Sequence, residues 1–166
     1  MGFGPFFPFP TFFKLRNGAS PWRAVTDVQL LEALRRRRLR LPPAPSHPFT
    51  VHDVSLYVYN LSSHHPSKLY DEYGGGAAGC VYLFADQLTN KDHEGWKVAG
   101  GTQRVPDAGG SEVGRKNTLV FHEGRWLRRA RWAMDEFNYT KHDEESWLAC
   151  DMVDLRLYRL RRLDDA

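Results

Sequence analysis

Eight cations fall between positions 97 and 131: Lys97, Arg104, Arg115, Lys116, Arg125, Arg128, Arg129 and Arg131. The chemistry open to such a set is the binding of phosphate, since clustered Lys and Arg mark an anion-facing surface better than net charge does. The whole chain carries only +3, but residues 96–132 carry a net +5 and residues 1–52 a net +6. Acidic stretches separate these islands, with −4 over residues 53–95 and −6 over residues 133–154. A phosphate-facing surface is one reading of the second island; solvated arginines clustered by chance are the other. Within the first island, Arg35, Arg36, Arg37, Arg38 and Arg40 admit three readings: a nuclear-localisation signal, phosphate contacts, or a solvated helix end.

Other chemistries have little support. No Ser/His/Asp, Cys/His or paired-carboxylate arrangement stands out, although sequence distance does not exclude a site assembled in space. Cys80 and Cys150 are too few for a disulfide framework. With seven scattered histidines they also lack the spacing of a zinc site, and no cofactor is implied. Glycines 74–76 and 79 are followed by no Lys-Ser/Thr and fit no G-x-G-x-x-G, so they read as a turn before a strand over Cys80–Phe84. No apolar run approaches the roughly 18–20 residues that span a bilayer. The start, Met1-Gly2-Phe3-Gly4-Pro5-Phe6, has neither a basic n-region nor the Ser/Thr of a myristoylation site, so a cytosolic or nuclear protein is expected.

The elements that must carry these side chains are legible from pattern. At 166 residues the length fits one domain. Apolar and polar residues alternate over 96–100, 113–121, 132–137 and 147–150, as in strands with one buried face, and the intervals suit turns. Trp96, Trp132 and Trp147 are expected to pack inward. A helix should begin at Thr26, capped by the Thr26/Gln29 pair, carry an apolar stripe of Val28, Leu30, Leu31 and Leu34, and stop before Pro42-Pro43. A second short helix is expected from about Thr50 through Val54 to Tyr57. The expected organisation is a Phe/Pro/Gly-rich segment at 1–19, a domain at 20–152, and a basic-hydrophobic extension at 153–166.

In order, Trp96-Lys97-Val98-Ala99-Gly100, Val113-Gly114-Arg115-Lys116-Asn117-Thr118-Leu119-Val120-Phe121, Trp132-Ala133-Met134-Asp135-Glu136-Phe137 and Trp147-Leu148-Ala149-Cys150 resemble the second half of the NAC domain, found in plant transcription regulators. There the blocks run W-K-A-T-G, V-G-x-K-K-x-L-V-F, W-x-M-x-E-Y and W-x-L-C. More thinly, Thr26-Asp27-Val28-Gln29-Leu30 stands where T-D-E-E-L would, and Val54-Ser55-Leu56-Tyr57 where a D-L-Y segment would. The resemblance implies an α+β fold, a twisted antiparallel sheet flanked by a few short helices. It also implies a nuclear protein that inserts an edge strand around 96–104 into the major groove of double-stranded DNA. Lys97, Arg104, Arg115, Lys116, Arg128, Arg129 and Arg131 would then hold phosphates, in a homodimer or a heterodimer with related proteins.

Several positions depart from the pattern. Ala99 replaces the Thr of W-K-A-T-G, Thr102 the following Asp, and Asn117 the second Lys of V-G-x-K-K. The loop at 86–94 is short and net acidic where the family carries a basic one. Trp22 and Val28 occupy the positions of an Arg and a Glu that pair in the family's dimer. No acidic tail precedes Ala166, so a complete chain would depend on a partner for activation. Three readings result: a divergent NAC-type regulator, an interaction module of the same fold with weakened DNA binding, and an unrelated mixed α/β protein, including an enzyme.

Overall fold

The computed structural model describes residues 25–44, 49–54, 65–88, 95–123, 128–140 and 154–163. The first element, α1 (Asp27–Arg38), begins as its sequence dictates. Thr26 Oγ1 accepts from the Gln29 amide at 3.1 Å, and Gln29 Oε1 accepts from the Thr26 amide at 2.8 Å, closing a capping box. Asp27 in the first turn and arginines in the last suit the helix dipole. Leu30, Leu31 and Leu34 are fully buried, each worth roughly 1.5–3 kcal/mol against exposure. Val28, expected in that stripe, is exposed, and Arg38 is buried with the leucines. The helix ends with Leu41 N–H donating to Arg36 O at 2.8 Å and Arg40 N–H to Arg37 O at 3.2 Å. Arg40 takes the left-handed conformation (φ 56°) at this stop.

Six strands follow: β1 (Val51–Asp53), β2 (Cys80–Asp86), β3 (Gly95–Pro106), β4 (Glu112–Glu123), β5 (Arg128–Tyr139) and β6 (Leu155–Arg162). Two short helices, α2 (Pro66–Glu72) and α3 (Gly75–Ala78), precede β2, flanked by Gly74 and Gly79 in left-handed conformation. The strand order is β1-β2-β6-β5-β4-β3, so β3 forms one edge.

The fold is α+β, as expected, and differs from the expectation in three respects. The sheet is mixed, because β1 pairs parallel with β2. Val51–Asp53, expected to start a helix, is that strand; Val54 N–H extends the pairing to Phe84 O at 2.8 Å. Positions 55–57 of the expected helix lie outside the described residues. Third, the segment set apart as an extension supplies β6, hydrogen-bonded to β2 on one side and β5 on the other. Leu155, Arg156, Leu157 and Tyr158 are consecutively buried. A strand covered on both faces loses the alternation that marks half-buried strands, which is why it is harder to read.

Each face of the sheet has its own core. Under α1 lie Leu30, Leu31, Leu34, Phe137 and Leu157. On the opposite face Leu69 and Tyr70 of α2 join Trp96, Leu119, Met134, Tyr158 and Leu160. Trp96 is buried as expected and Trp132 partly so; Trp147 and its block at 147–150 lie outside the described residues. Gly114 is where α1 comes closest to the sheet. A Cβ there would meet Leu31 Cδ1 and Cδ2 at 2.6 Å and the Asn138 carbonyl at 2.7 Å.

Candidate nucleic-acid interface

The cationic block sits mainly on the hairpin β3–β4, whose turn is tied by Asp107. Its Oδ1 accepts from the Gly109 and Ser111 amides at 2.9 and 3.0 Å, and its amide donates to Ser111 O at 2.8 Å. β3 pairs with β4 from Gly95 to Ala99 and again from Gln103 to Pro106, leaving Gly100-Gly101-Thr102 out of register. Gly100 (φ +79°) permits the bend. From Gly100 to Arg104 every residue is exposed, as is Val98 at 47 %. Thr102 Oγ1 donates to Asn117 Oδ1 at 2.7 Å, pinning this bulge to β4.

Register divides the expected DNA-binding residues between two faces. Lys97 stands opposite Val120, and Gln103 opposite Lys116, on the α1 side. Arg104 stands opposite Arg115 on the other side. Lys116 Nζ donates to Asp27 Oδ2 at 2.8 Å and lies 5.9 Å from the Phe137 ring centre, so its ammonium is engaged under the start of α1. Arg104 and Arg115 are mostly exposed and both donate through Nε to Glu112, at 2.9 and 3.0 Å. Hydrogen bonds from Arg104 and then Arg115 hold the Glu112 carboxyl below the usual glutamate range.

Arg131 lies elsewhere. It is exposed near the start of β5 and lines a hollow with Tyr70, Asp71, Glu123 and Trp132. Glu123 is eight residues beyond Arg115 along β4, about 27 Å by strand rise. Arg128 and Arg129 belong to β5; their side chains lie outside the described residues, as does the acidic loop from 89 to 94.

The arginine run at the end of α1 is taken up by the fold. Arg35 and Arg36 pair with Glu32 at 3.3 and 3.1 Å, and Arg37 with Asp53. Arg38, 2 % exposed, donates to Leu155 O, to Tyr139 O at 3.4 Å and to Asn138 Oδ1 at 2.9 Å. Sequence reasoning missed this clasp because a buried arginine inside a basic run has no signature of its own. It also missed the polar ladder beneath α1. Asp135, 3 % exposed, accepts from Arg159 at 2.8 Å, Arg161 at 3.3 Å and Thr118 at 2.9 Å.

Among the described residues no group of His, Cys, Asp and Glu is placed to hold a metal ion. No helix there is long and apolar enough to cross a membrane. The family model described as No apical meristem (NAM) protein matches residues 24–139. The chain belongs to this family, the NAC-domain family. None of the curated proteins matches it. NAC-domain proteins are plant transcription regulators that bind DNA, not enzymes, and they dimerise. The matched span holds α1 and the sheet through β5, while β6 lies beyond it in sequence and inside the sheet in space.

Proposed function

We propose that this NAC-domain protein is a nuclear, sequence-specific regulator that binds duplex DNA through the β3 edge. The observation that carries the reading is the exposed, bulged stretch Gly100–Arg104 on the outermost strand, with Arg104 and Arg115 side by side at its end. A strand pair fits the major groove and offers alternate side chains to base edges. Lys97, Arg104 and Arg115 are the phosphate contacts of this reading, and Arg128, Arg129 and Arg131, on β5, are its further candidates. Lys116 is assigned instead to holding α1, because Asp27 already takes its ammonium.

One observation favours the second reading, an interaction module with weakened affinity. Glu112 places a carboxylate between the two best-exposed arginines of the hairpin, which lowers the net positive charge a phosphate meets there. A salt titration of duplex binding by fluorescence anisotropy separates the two. A regulator shows a steep slope, near −0.9 per phosphate neutralised, and prefers DNA containing a CGT core over random duplex. Removing Arg104 and Arg115 together should flatten that slope by about two phosphates' worth. A shallow slope indifferent to sequence, with a concentration-dependent mass, is the signature of the interaction module.

A further inference from the structure

Two arginines directly opposite each other on neighbouring strands repel, and a sheet ordinarily avoids the arrangement. Here the opposition is Arg104 against Arg115, and what makes it tolerable is an irregularity in β4. Val105 pairs with Gly114 while Pro106 pairs with Glu112, so Val113 is an extra residue in the ladder. On an unbroken strand residues 112 and 115 would point to opposite faces. The extra residue turns Glu112 onto the face of both arginines, and bulges re-aim side chains in just this way. Val113 meanwhile joins the core beneath α1.

The carboxylate then uses one oxygen for each arginine, Oε1 for Arg104 Nε and Oε2 for Arg115 Nε. Thr140 Oγ1 donates to Oε2 at 3.2 Å from the end of β5, fixing the acid from behind. Among the described residues, neither Arg104 nor Arg115 has a partner for its Nη groups. Arg161 likewise engages Asp135 through Nε alone, whereas Arg36, Arg38 and Arg159 spend Nη atoms on protein acceptors. Side-chain exposures of 62 % and 56 % leave both guanidinium ends open to solvent.

We propose that Arg104, Glu112 and Arg115 form one phosphate clamp, in which Glu112 is a positioning residue holding two guanidiniums to receive a single phosphodiester group between their free ends. This rests on the DNA-binding reading above and specifies the part of that interface with chemistry of its own. Guanidinium recognises phosphate by paired N–H donors in a fixed fork, so a partner that fixes Nε also fixes the direction of the fork. Orientation and charge then make opposite predictions for the removal of the acid. Charge alone predicts tighter phosphate binding without Glu112, whereas the clamp predicts weaker binding.

The test uses the full chain and the variants E112Q, R104A/R115A and the triple combination. Anisotropy on duplex DNA is measured at two salt concentrations. Proton–nitrogen correlation of the arginine Nε–H groups is followed during titration with inorganic phosphate. The clamp predicts that E112Q binds duplex DNA on the order of fivefold more weakly, and that the same change in the R104A/R115A background does nothing further. It also predicts that E112D, which keeps the charge, recovers part of the loss. Tighter binding by E112Q overturns the clamp, as does an equal loss in both backgrounds, which marks a scaffold role for Glu112. If wild type ignores duplex DNA while phosphate still shifts both Nε–H signals, the DNA reading falls and the clamp stands. If duplex DNA binds and E112Q is unchanged, only the clamp falls.

Discussion

Lys116 and Arg115 are neighbours in sequence, and both match or border the lysines of the family motif, yet their surroundings assign them opposite work. The alternation of a strand sends Arg115 to an open face and Lys116 under α1, where Asp27 waits at 2.8 Å. For these two neighbours on β4 the parity of the position, not the residue type, decides which one Asp27 engages. Lys116→Met should lower stability by about 1 kcal/mol, as expected for removing the hydrogen-bonded partner of the half-buried Asp27 while Arg159 stays at 3.6 Å from it. It should leave the salt slope of duplex binding within error. Urea unfolding and anisotropy on the same sample check both halves, and a slope reduced by one phosphate's worth would return Lys116 to the interface.

At the scale of elements, α1 is fastened to the sheet at both ends by groups that look like surface features in sequence. Near its start Gly114 lets Leu31 approach the backbone of β4, and at its end Arg38 reaches across to the ends of β5 and β6. Gly114→Ala would push a methyl into Leu31 and the Asn138 carbonyl, an overpacking that costs about 1–3 kcal/mol. Arg38→Met keeps the apolar stem but removes the donors to Tyr139 O and Asn138 Oδ1 and leaves the Leu155 carbonyl with Arg156 alone among the described side chains. The expected loss is on the order of 3 kcal/mol, read as a lower urea midpoint with an unchanged m-value. A drop in nuclear accumulation without loss of stability would instead mark Arg38 as part of a localisation signal.

The whole molecule has a polar seam across the sheet beneath α1, and this sets how it answers to acid. Burial alone would raise the Asp135 carboxyl, but Arg159 and Arg161 outweigh it and hold the group below the usual aspartate range. A folded-state pKa below the unfolded value of about 3.9 means that the ion pairs stabilise fully above that pH. The stabilisation is lost as pH falls through the folded value. Thermal melts should show Tm falling below about pH 4. Asp135→Asn should be less stable at neutral pH by on the order of 3 kcal/mol, with a flatter acid limb. An acid limb identical in wild type and variant would show that other carboxylates carry the acid sensitivity.

Much of the fold and part of the interface were legible beforehand because they depend on local rules. The Thr26/Gln29 cap, the leucine stripe of α1, the strand at Cys80–Phe84 and the alternating blocks at 96–100, 113–121 and 132–137 follow from neighbours a few residues apart. Family membership was legible too, since it lies in ordered motifs that survive local change. What needed the tertiary structure depends on partners far along the chain. Val51–Asp53 became a strand because Tyr82–Phe84 was there to pair with, and Leu155–Arg162 entered the sheet because both its faces and both its edges found cover. The division of Arg35–Arg40 into surface pairs, a buried clasp and a helix stop rests on Asp53, Asn138 and Leu155, none of them near in sequence. Sequence by itself fixed which residues are cationic and which segments are strands. Only the register of β3 on β4 decided which cations share a face, and the extra residue at Val113 decided that Glu112 joins Arg104 and Arg115, because a shift of one residue in a strand reverses every side chain beyond it.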